Sequence, residues 1–316
     1  MSLRYLLQRL ATLLLVLFGV SILTFAIIPL VPGSPARVTL GVQATDASVA
    51  ALEHKMGLDR PLPVQYWSWL SGIVFHGNFG TSLISGKPIT EQVARRLPAT
   101  LALAFVALLI GLLIALPSGI LSALKPGSAR DLGVSVMSQI GVSIPDFWLG
   151  ILLILLFAQI LHWLPSSGYE PISKGIGAYL RHIILPAVTA GVISGSIMAR
   201  FVRSAMLEVL GNDYVRTARA KGLAEQRVIA KHVLRNAAIT VVTIIGLQRA
   251  TLLSSVVVVE IIFAWPGLGS MALTATLQRD YPMLQASVLL FAVSFALINL
   301  FTDLSYVLLD PSVEYA

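Results

Sequence analysis

The sequence predicts an all-α integral membrane protein with six transmembrane helices, an external insertion after the first, and a cytoplasmic helix between the fourth and fifth. Three observations predict it. Apolar residues make up 56% of the 316 and charged residues only 12%, whereas a soluble surface usually needs roughly 25%. Six apolar runs have the length, about 20 residues, that crosses the hydrocarbon core of a bilayer or comes close to it. Between the fourth and fifth runs lies a long polar stretch, Asn212 to Asn236, reading NDYVRTARAKGLAEQRVIAKHVLRN.

The first run, Leu10 to Ala36, follows Arg4 and Arg9 and carries no charge until Arg37. It exceeds the 7 to 15 residues or so of a signal-peptide core, so it reads as an uncleaved span, and residues 1–36 form the N-terminus and first helix. Residues 37–98 form an external loop region with turn signals at Pro61, Pro63, Gly77-Asn78, Gly80 and Pro88. A short helix is expected from Ala47 to Met56, with Asp46 as N-cap and Gly57 as its stop. Tyr66, Trp67, Trp69 and Phe75 either mark one amphipathic turn at the water-lipid boundary or fill a small satellite core.

Residues 99–316 are then a five-helix core. Ala99 to Leu124 is a clean span in which Pro117-Ser118-Gly119 marks a kink or close packing. Leu132 to Leu161 spans only if tilted or bent, and Pro145 supplies the bend. Asp146 is placed to bond the backbone groups that bend frees. Ile183 to Ala199, Ala237 to Phe263 and Met283 to Leu309 complete the six, with a cytoplasmic loop at 200–236.

Orientation follows from the basic residues of the short loops. With the N-terminus inside, the inner segments hold twelve Lys and Arg, from Arg4 to Arg235, against Lys174, Arg181 and Arg279 in the two short outer loops. The positive-inside rule therefore puts both termini in the cytoplasm. The net charge of +7 is scattered over these segments rather than gathered on a polar domain, which argues against nucleic acid as a partner. The chain has no cysteine, excluding disulfides, thiolate metal sites and cysteine nucleophiles.

Within the polar stretch, Asp213 is placed as an N-cap and Gly222 as a left-handed stop, about two and a half turns apart. Tyr214, Thr217, Ala218 and Lys221 then share one face, and Arg216 and Arg219 point elsewhere. The small residues Thr217 and Ala218 let a partner approach closely. So short a helix is marginal alone and must be held by a partner or by its own spans. The plainer reading is a basic loop that touches lipid headgroups.

The segments DYVRTARAKGL and HVLRN resemble the EAA-type cytoplasmic loop of ABC-transporter inner-membrane permeases. The resemblance is to the dipeptide, oligopeptide and nickel permease family, in the subunit type with a long first external loop. Further matching pieces run through nearly the whole chain: MGLDRPLPVQYWSWL, FGTS, RLPATLALA, SIPDFWLG, WLPSSG, ARFVRSAMLEVL, VVVEIIFAWPGLG and Asp310-Pro311. Arg216 stands where the general motif is acidic. The resemblance implies a non-catalytic subunit in the bacterial plasma (inner) membrane, surrounded by lipid and paired with a second related permease. It also implies two cytoplasmic ATPase subunits that bind ATP and magnesium, none of which this chain would hold, and an external substrate-binding protein. Asp213, Tyr214, Arg216, Thr217, Ala218, Lys221 and Gly222 would couple it to the ATPases. The cargo would be di- or oligopeptides, with nickel or another metal chelate as the alternative.

Isolated intramembrane charges are functional by default. Arg249 is either a pathway charge attracting a substrate carboxylate or a group that snorkels or meets a carboxylate such as Asp303. Glu260, before the turn Phe263-Ala264-Trp265-Pro266-Gly267, either orients that turn or helps seal the external mouth of the pathway, or is a structural carboxylate at a helix end. His54, His76, His162, His182 and His232 fall in separate loops without ligand spacing, so no metal site is expected. An ion-coupled secondary transporter would need paired intramembrane carboxylates or broken inverted repeats, and a membrane hydrolase an HExxH or a nucleophile-base set. The charges here are isolated ones.

Overall fold

The computed structural model describes residues 3–30, 34–41 and 44–309, and among these there are helices and turns but no strand beyond an isolated bridge between Thr81 and Pro88. Among the described residues four helices are long and apolar enough to cross a membrane, Leu6–Pro29, Ile89–Leu124, Ile176–Leu210 and Tyr281–Leu300, or five if a bent pair counts as one span. The chain divides into two compact units, one built on Leu6–Thr100 with Pro266–Leu297 and the other on Leu101–Trp265.

In the first unit, α1 (Leu3–Phe25) and α2 (Ile27–Leu30) are separated by a turn at Ala26. The run expected as one helix to Ala36 therefore ends early. Pro29 has no N–H to offer the Phe25 carbonyl four residues back. Gln285 supplies the missing donor, its side-chain amide lying 3.2 Å from the carbonyls of both Thr24 and Phe25. A separate helix, α3 (Pro35–Leu40), starts on the Ser34 cap, whose Oγ accepts from Ala36 N at 3.2 Å.

Helix α4 (Asp46–Met56) ends at Gly57 with φ +72, as expected, but its cap is Thr45 rather than Asp46. The Thr45 hydroxyl accepts from Ser48 N at 3.2 Å and Ser48 Oγ accepts from Thr45 N at 3.0 Å. This reciprocal pair leaves Asp46 in the first turn, where it favours the helix dipole.

The aromatic cluster lies on a full helix, α5 (Leu62–His76), that starts on prolines and stops at Gly77 with φ +59. The packing reading holds for two of its residues. Tyr66 and Trp69 pack against Phe25 with ring centroids 5.4 and 5.8 Å away, and Tyr66 Oη lies 2.7 Å from Ser21 Oγ. Trp67 and Phe75 are 64% and 74% exposed.

Helix α6 (Ile89–Leu124) begins ten residues before the expected start. Its first turns are amphipathic: Ile89 and Val93 enter a core with Leu268, Met271 and Ala275, and Arg96 donates to Gly267 O and Ser270 Oγ at 3.4 Å.

The second unit takes α6 onward to α7 (Ala129–Ser143) and α8 (Asp146–Leu153), which continues as a π-helix over Ile154–Ile160. The two are bent by 103°, a broken span or a re-entrant loop rather than one tilted span. Ile144 and Pro145 hold the break, and Pro145 O, not Asp146, caps α8 by accepting from Trp148 N and Leu149 N, each at 3.1 Å. The Asp146 carboxylate makes no such cap bond.

Helix α9 (Ile176–Leu210) extends well past the expected Ile183 to Ala199 at both ends. Glycines let it lie against α6: a Cβ on Gly195 would sit 2.8 Å from Gly111 O, and one on Gly191 2.8 Å from Ala107 O. Gly119 also serves close packing rather than a kink, since a Cβ there would lie 2.7 Å from Val202. This is how small residues bring helices together in lipid, where hydrophobicity drives no association.

Then follow α10 (Asp213–Ala220), α11 (Glu225–Arg227), a π-helical turn over Val228–Val233 and α12 (Leu234–Ile262). The expected span Ala237 to Phe263 is the body of α12, of which Thr251–Ile262 is the described apolar part.

The first unit closes with α13 (Leu268–Gln278), a helix not expected from the sequence, and with α14 (Tyr281–Leu309) as far as Leu297. Asp280 joins them while wholly buried. Its carboxylate accepts from Ser82 Oγ, from Leu83 N at 3.2 Å and from Met283 N at 3.4 Å.

Candidate functional site: a polar helix seated on the span ends

The helix α10 begins at Asn212, whose extended backbone (φ −73, ψ 147) makes it the N-cap without a side-chain bond. Asp213, expected as the cap, is instead the first helical residue, where it favours the helix dipole. Gly222 does stop the helix in the left-handed region at φ +76. Its N–H donates to Arg219 O at 2.9 Å and Leu223 N to Ala218 O at 3.4 Å. This is the Schellman pattern, which satisfies carbonyls a helix end leaves open. Leu223 turns back onto the core beneath, and Arg219 clamps the turn through Glu225 with bonds of 3.1 and 2.7 Å. The Arg219 guanidinium holds the Glu225 carboxyl below its ordinary range, and the carboxylate in turn raises the arginine.

One face of α10 is buried, and it is not the face expected. Val215 is 0% exposed and Ala218 6%. Both enter a cluster with Val202, Met206 and Val209 of α9, Ala123 of α6, and Val228 and Val233 of the π-helical turn. Ala218 therefore packs against its own chain instead of forming a close-approach face for a partner, and Val215, not singled out from sequence, packs beside it. The signal was there: Val215 and Ala218 lie three apart, on one side of a helix whose other residues are mostly polar. Tyr214, Arg216, Thr217 and Lys221 are exposed, with Tyr214 43% accessible. They share the outer half of α10, where Arg216 lies 3.3 Å from Asp213 and Thr217 Oγ1 donates to Asp213 O at 2.9 Å.

A second feature beside this socket escaped sequence reasoning. Asp131, in the first turn of α7, is 5% exposed and receives Arg203 of α9 through two bonds, Nε to Oδ1 at 2.7 Å and Nη2 to Oδ2 at 2.8 Å. Ser122 Oγ donates to the same carboxylate at 2.5 Å and Gly127 N at 2.9 Å. From sequence, Arg203 was one of twelve inner basic residues, and Asp131 lay 72 positions away. The local signal was Ser128, which caps α7 by accepting from Asp131 N at 3.3 Å.

The two pathway candidates have different outcomes. Arg249 lies within α12, but its side chain, like that of Asp303, is outside the described residues. Glu260 is 0% exposed and lies inside this chain near the end of α12. Its carbonyl accepts from Trp265 N at 2.8 Å, closing the turn in which Ala264 takes φ +49. Trp265, also 0% exposed, meets the Tyr169 ring edge-on at 4.8 Å, and Gly168 N donates to Phe263 O at 2.9 Å. The segment before α9 is thereby fastened onto the end of α12. Among the described residues no group of three or more His, Cys, Asp or Glu could hold a metal ion.

Long apolar helices closely packed through glycines, with a polar helix seated on their ends, are those of a multi-span membrane protein. The chain belongs to the family described as binding-protein-dependent transport system inner membrane component, matched over residues 115–315, and its N-terminal part over residues 2–104. It is 41% identical over 333 residues to the dipeptide transport system permease protein DppB of Alkalihalophilus pseudofirmus, covering 99% of this chain and 100% of the relative. It is 41% identical over 317 residues to the glutathione transport system permease protein GsiC of Salmonella typhimurium, covering 99% of each. It is 40% identical over 314 residues to the oligopeptide transport system permease protein AppB of Bacillus subtilis, covering 98% of this chain and 99% of the relative. A chain of the inward-facing MetNI methionine ABC transporter superimposes with a TM-score of 0.59 at 22% identity, over 71% of this chain and 99% of that one. That likeness concerns the fold.

Proposed function

We propose that this chain is a non-catalytic permease subunit of an ATP-driven importer and forms half of a pathway for peptides delivered by an external binding protein. Dipeptides, oligopeptides and the tripeptide glutathione, named for its relatives, share a peptide backbone with charged ends, and that class is the cargo. A related permease supplies the other half, and two ATPase subunits hydrolyse ATP on the cytoplasmic side. Both termini lie on that side, by the weight of inner basic residues. Six spans follow if α7 with α8 counts as one and α12 as another.

The observation that carries this reading is the division of α10 into an anchored and an outward half. Val215 and Ala218 fix the helix to the span ends, while Tyr214, Arg216, Thr217 and Lys221 stay accessible to a soluble partner. Arg216 in place of an acidic residue calls for a socket with complementary charge. The test replaces the outward half only, with Tyr214→Ala and Lys221→Glu, and measures how much ATPase subunit co-purifies in detergent. Loss of the ATPases from a stably folded permease is expected. Full retention together with unchanged peptide uptake would remove the docking role.

Arg249 is retained as a pathway charge for a peptide carboxylate. Arg249→Leu should slow uptake of zwitterionic peptide in an assembled complex, and an unchanged rate would reject the assignment.

A further inference from the structure

We propose that Asp131 and Arg203 are positioning residues for transport: their ion pair makes the start of the bent span α7–α8 and the seat of α10 one rigid body. The inference rests on α10 being the point at which the ATPases act.

The geometry places the pair where such a joint is needed. One carboxylate collects four hydrogen bonds from three segments: two from Arg203 on α9, one from Ser122 near the end of α6, and one from Gly127 in the α6–α7 turn. A paired and bonded charge of this kind is costly to break from one side, because the partner charge then stays behind half-buried. Arg203 sits between Val202 and Met206 along α9, and those two residues pack with Val215 and Ala218 of α10. Ser122 likewise adjoins Ala123, which lies in the same cluster. The residues that seat α10 are thus chain neighbours of those that hold Asp131.

From Asp131 the helix α7 runs to the bend at Ile144 and Pro145, about 20 Å at 1.5 Å per residue. Without the pair, a push on α10 would reach α9 and, through the π-helical turn, α12, but α7 would be tied to α9 only by helix packing and by one exposed hydrogen bond, from Arg200 to Gln139 Oε1 at 3.3 Å. With it, the same push is applied to the first turn of α7 and so to the bend. A bidentate arginine-carboxylate pair suits this use because its two parallel bonds fix orientation as well as distance.

The experiment measures two quantities on the assembled transporter in nanodiscs: ATPase subunit retained, and substrate moved per ATP hydrolysed. Asp131→Asn and Arg203→Gln should retain the ATPases and lower the ratio by about five- to tenfold, the lower range of measured site-to-site couplings. The double variant should be no worse than the worse single, as for residues acting through one contact. Arg203→Lys, which keeps the charge but not the fork, should fall between. A purely structural role would lower the yield of complex and leave the ratio of the surviving complex unchanged, and that result overturns the proposal. If the Asn and Gln variants do not assemble, Ser122→Ala and Arg203→Lys serve in their place, and an unchanged ratio in both overturns it equally. ATPases absent from the wild-type complex would instead sink the docking reading on which the inference rests, whereas retention with an unchanged ratio sinks the inference alone.

Discussion

The seating of α10 makes Val215 the most informative single residue to change. Val215→Ala removes two methyl groups from a site that is 0% exposed. At about 0.8 kcal/mol per buried carbon the transfer loss is about 1.6 kcal/mol. A cavity of roughly 40 Å³ left behind adds about 1 kcal/mol at 24 cal/mol per Å³, for a total of about 2.5 kcal/mol. An eight-residue helix has almost no stability of its own, so this loss falls on docking rather than on the rest of the chain. The undocked fraction should rise roughly 50-fold, since each 1.4 kcal/mol is a factor of ten. Hydrogen exchange of the α10 amides, followed by mass spectrometry on the permease in nanodiscs before ATPase subunits are added, reads that fraction directly. Thr217→Ala, on the exposed half, is the control and should shift exchange by no more than a surface substitution does, within about 0.5 kcal/mol. If the two variants exchange alike, α10 is not held by its buried face and the seating is wrong.

Three further outcomes are expected. Gly195→Val places a side chain where even a Cβ would be 2.8 Å from Gly111 O, so α6 and α9 must separate. Overpacking typically costs about 1 to 3 kcal/mol, and thermal unfolding in detergent should show at least that loss. Gln285→Leu withdraws the amide that serves the carbonyls of Thr24 and Phe25, leaving at least the Phe25 carbonyl, already deprived by Pro29, without a donor. A cost of about 1 to 3 kcal/mol should appear as a lowered melting temperature, with Gln285→Met, of similar length but without the amide, no better, and an unchanged melting temperature would exclude the contact. The Glu225 carboxyl is held below its ordinary range by the Arg219 bonds, so its folded state binds a proton less readily than its unfolded state. The contribution is complete above the unfolded value and is lost as pH falls through the lower folded one. Protection of the turn at Gly222 against proteolysis should exceed that of Glu225→Gln at neutral pH, and the two should converge at acid pH; a constant difference would exclude the ion pair as its source.

Residues whose role depends on near neighbours were legible in the sequence. Gly57 and Gly222 stop helices because only a residue without Cβ takes the left-handed region cheaply, and both do so with φ +72 and +76. Pro145 marked the break between α7 and α8 for an equally local reason, its missing N–H and fixed φ. The sharpness of that break, 103°, depends on what α8 packs against and was not local. Helix starts were read less well. The charges at Glu91, Arg95 and Arg96 hid the first ten residues of α6, because Ile89 and Val93 find their partners on α13 and α14, nearly two hundred residues away. Helix α5 was read as turns because Pro61, Pro63 and Gly77 punctuate its ends, and its middle is held by α1.

The sequence by itself determined that the chain is a helical membrane protein with a polar helix set among its spans. Composition, run length and turn residues are local quantities, and in hydrocarbon, where no water bonds the backbone, apolar runs of about 20 residues satisfy their own groups as α-helices. Only the tertiary structure decided which way that polar helix faces and what it is fastened to. Val215 rather than Thr217 points inward because the ends of α6, α9 and the π-helical turn offer an apolar socket on one side alone. Asp131 meets Arg203 because α7 and α9 are brought together where a Cβ on Gly141 would lie 2.1 Å from Ser196 Oγ. Pairings across 72 positions follow from how helices pack, and packing is a property of the whole chain rather than of any stretch of it.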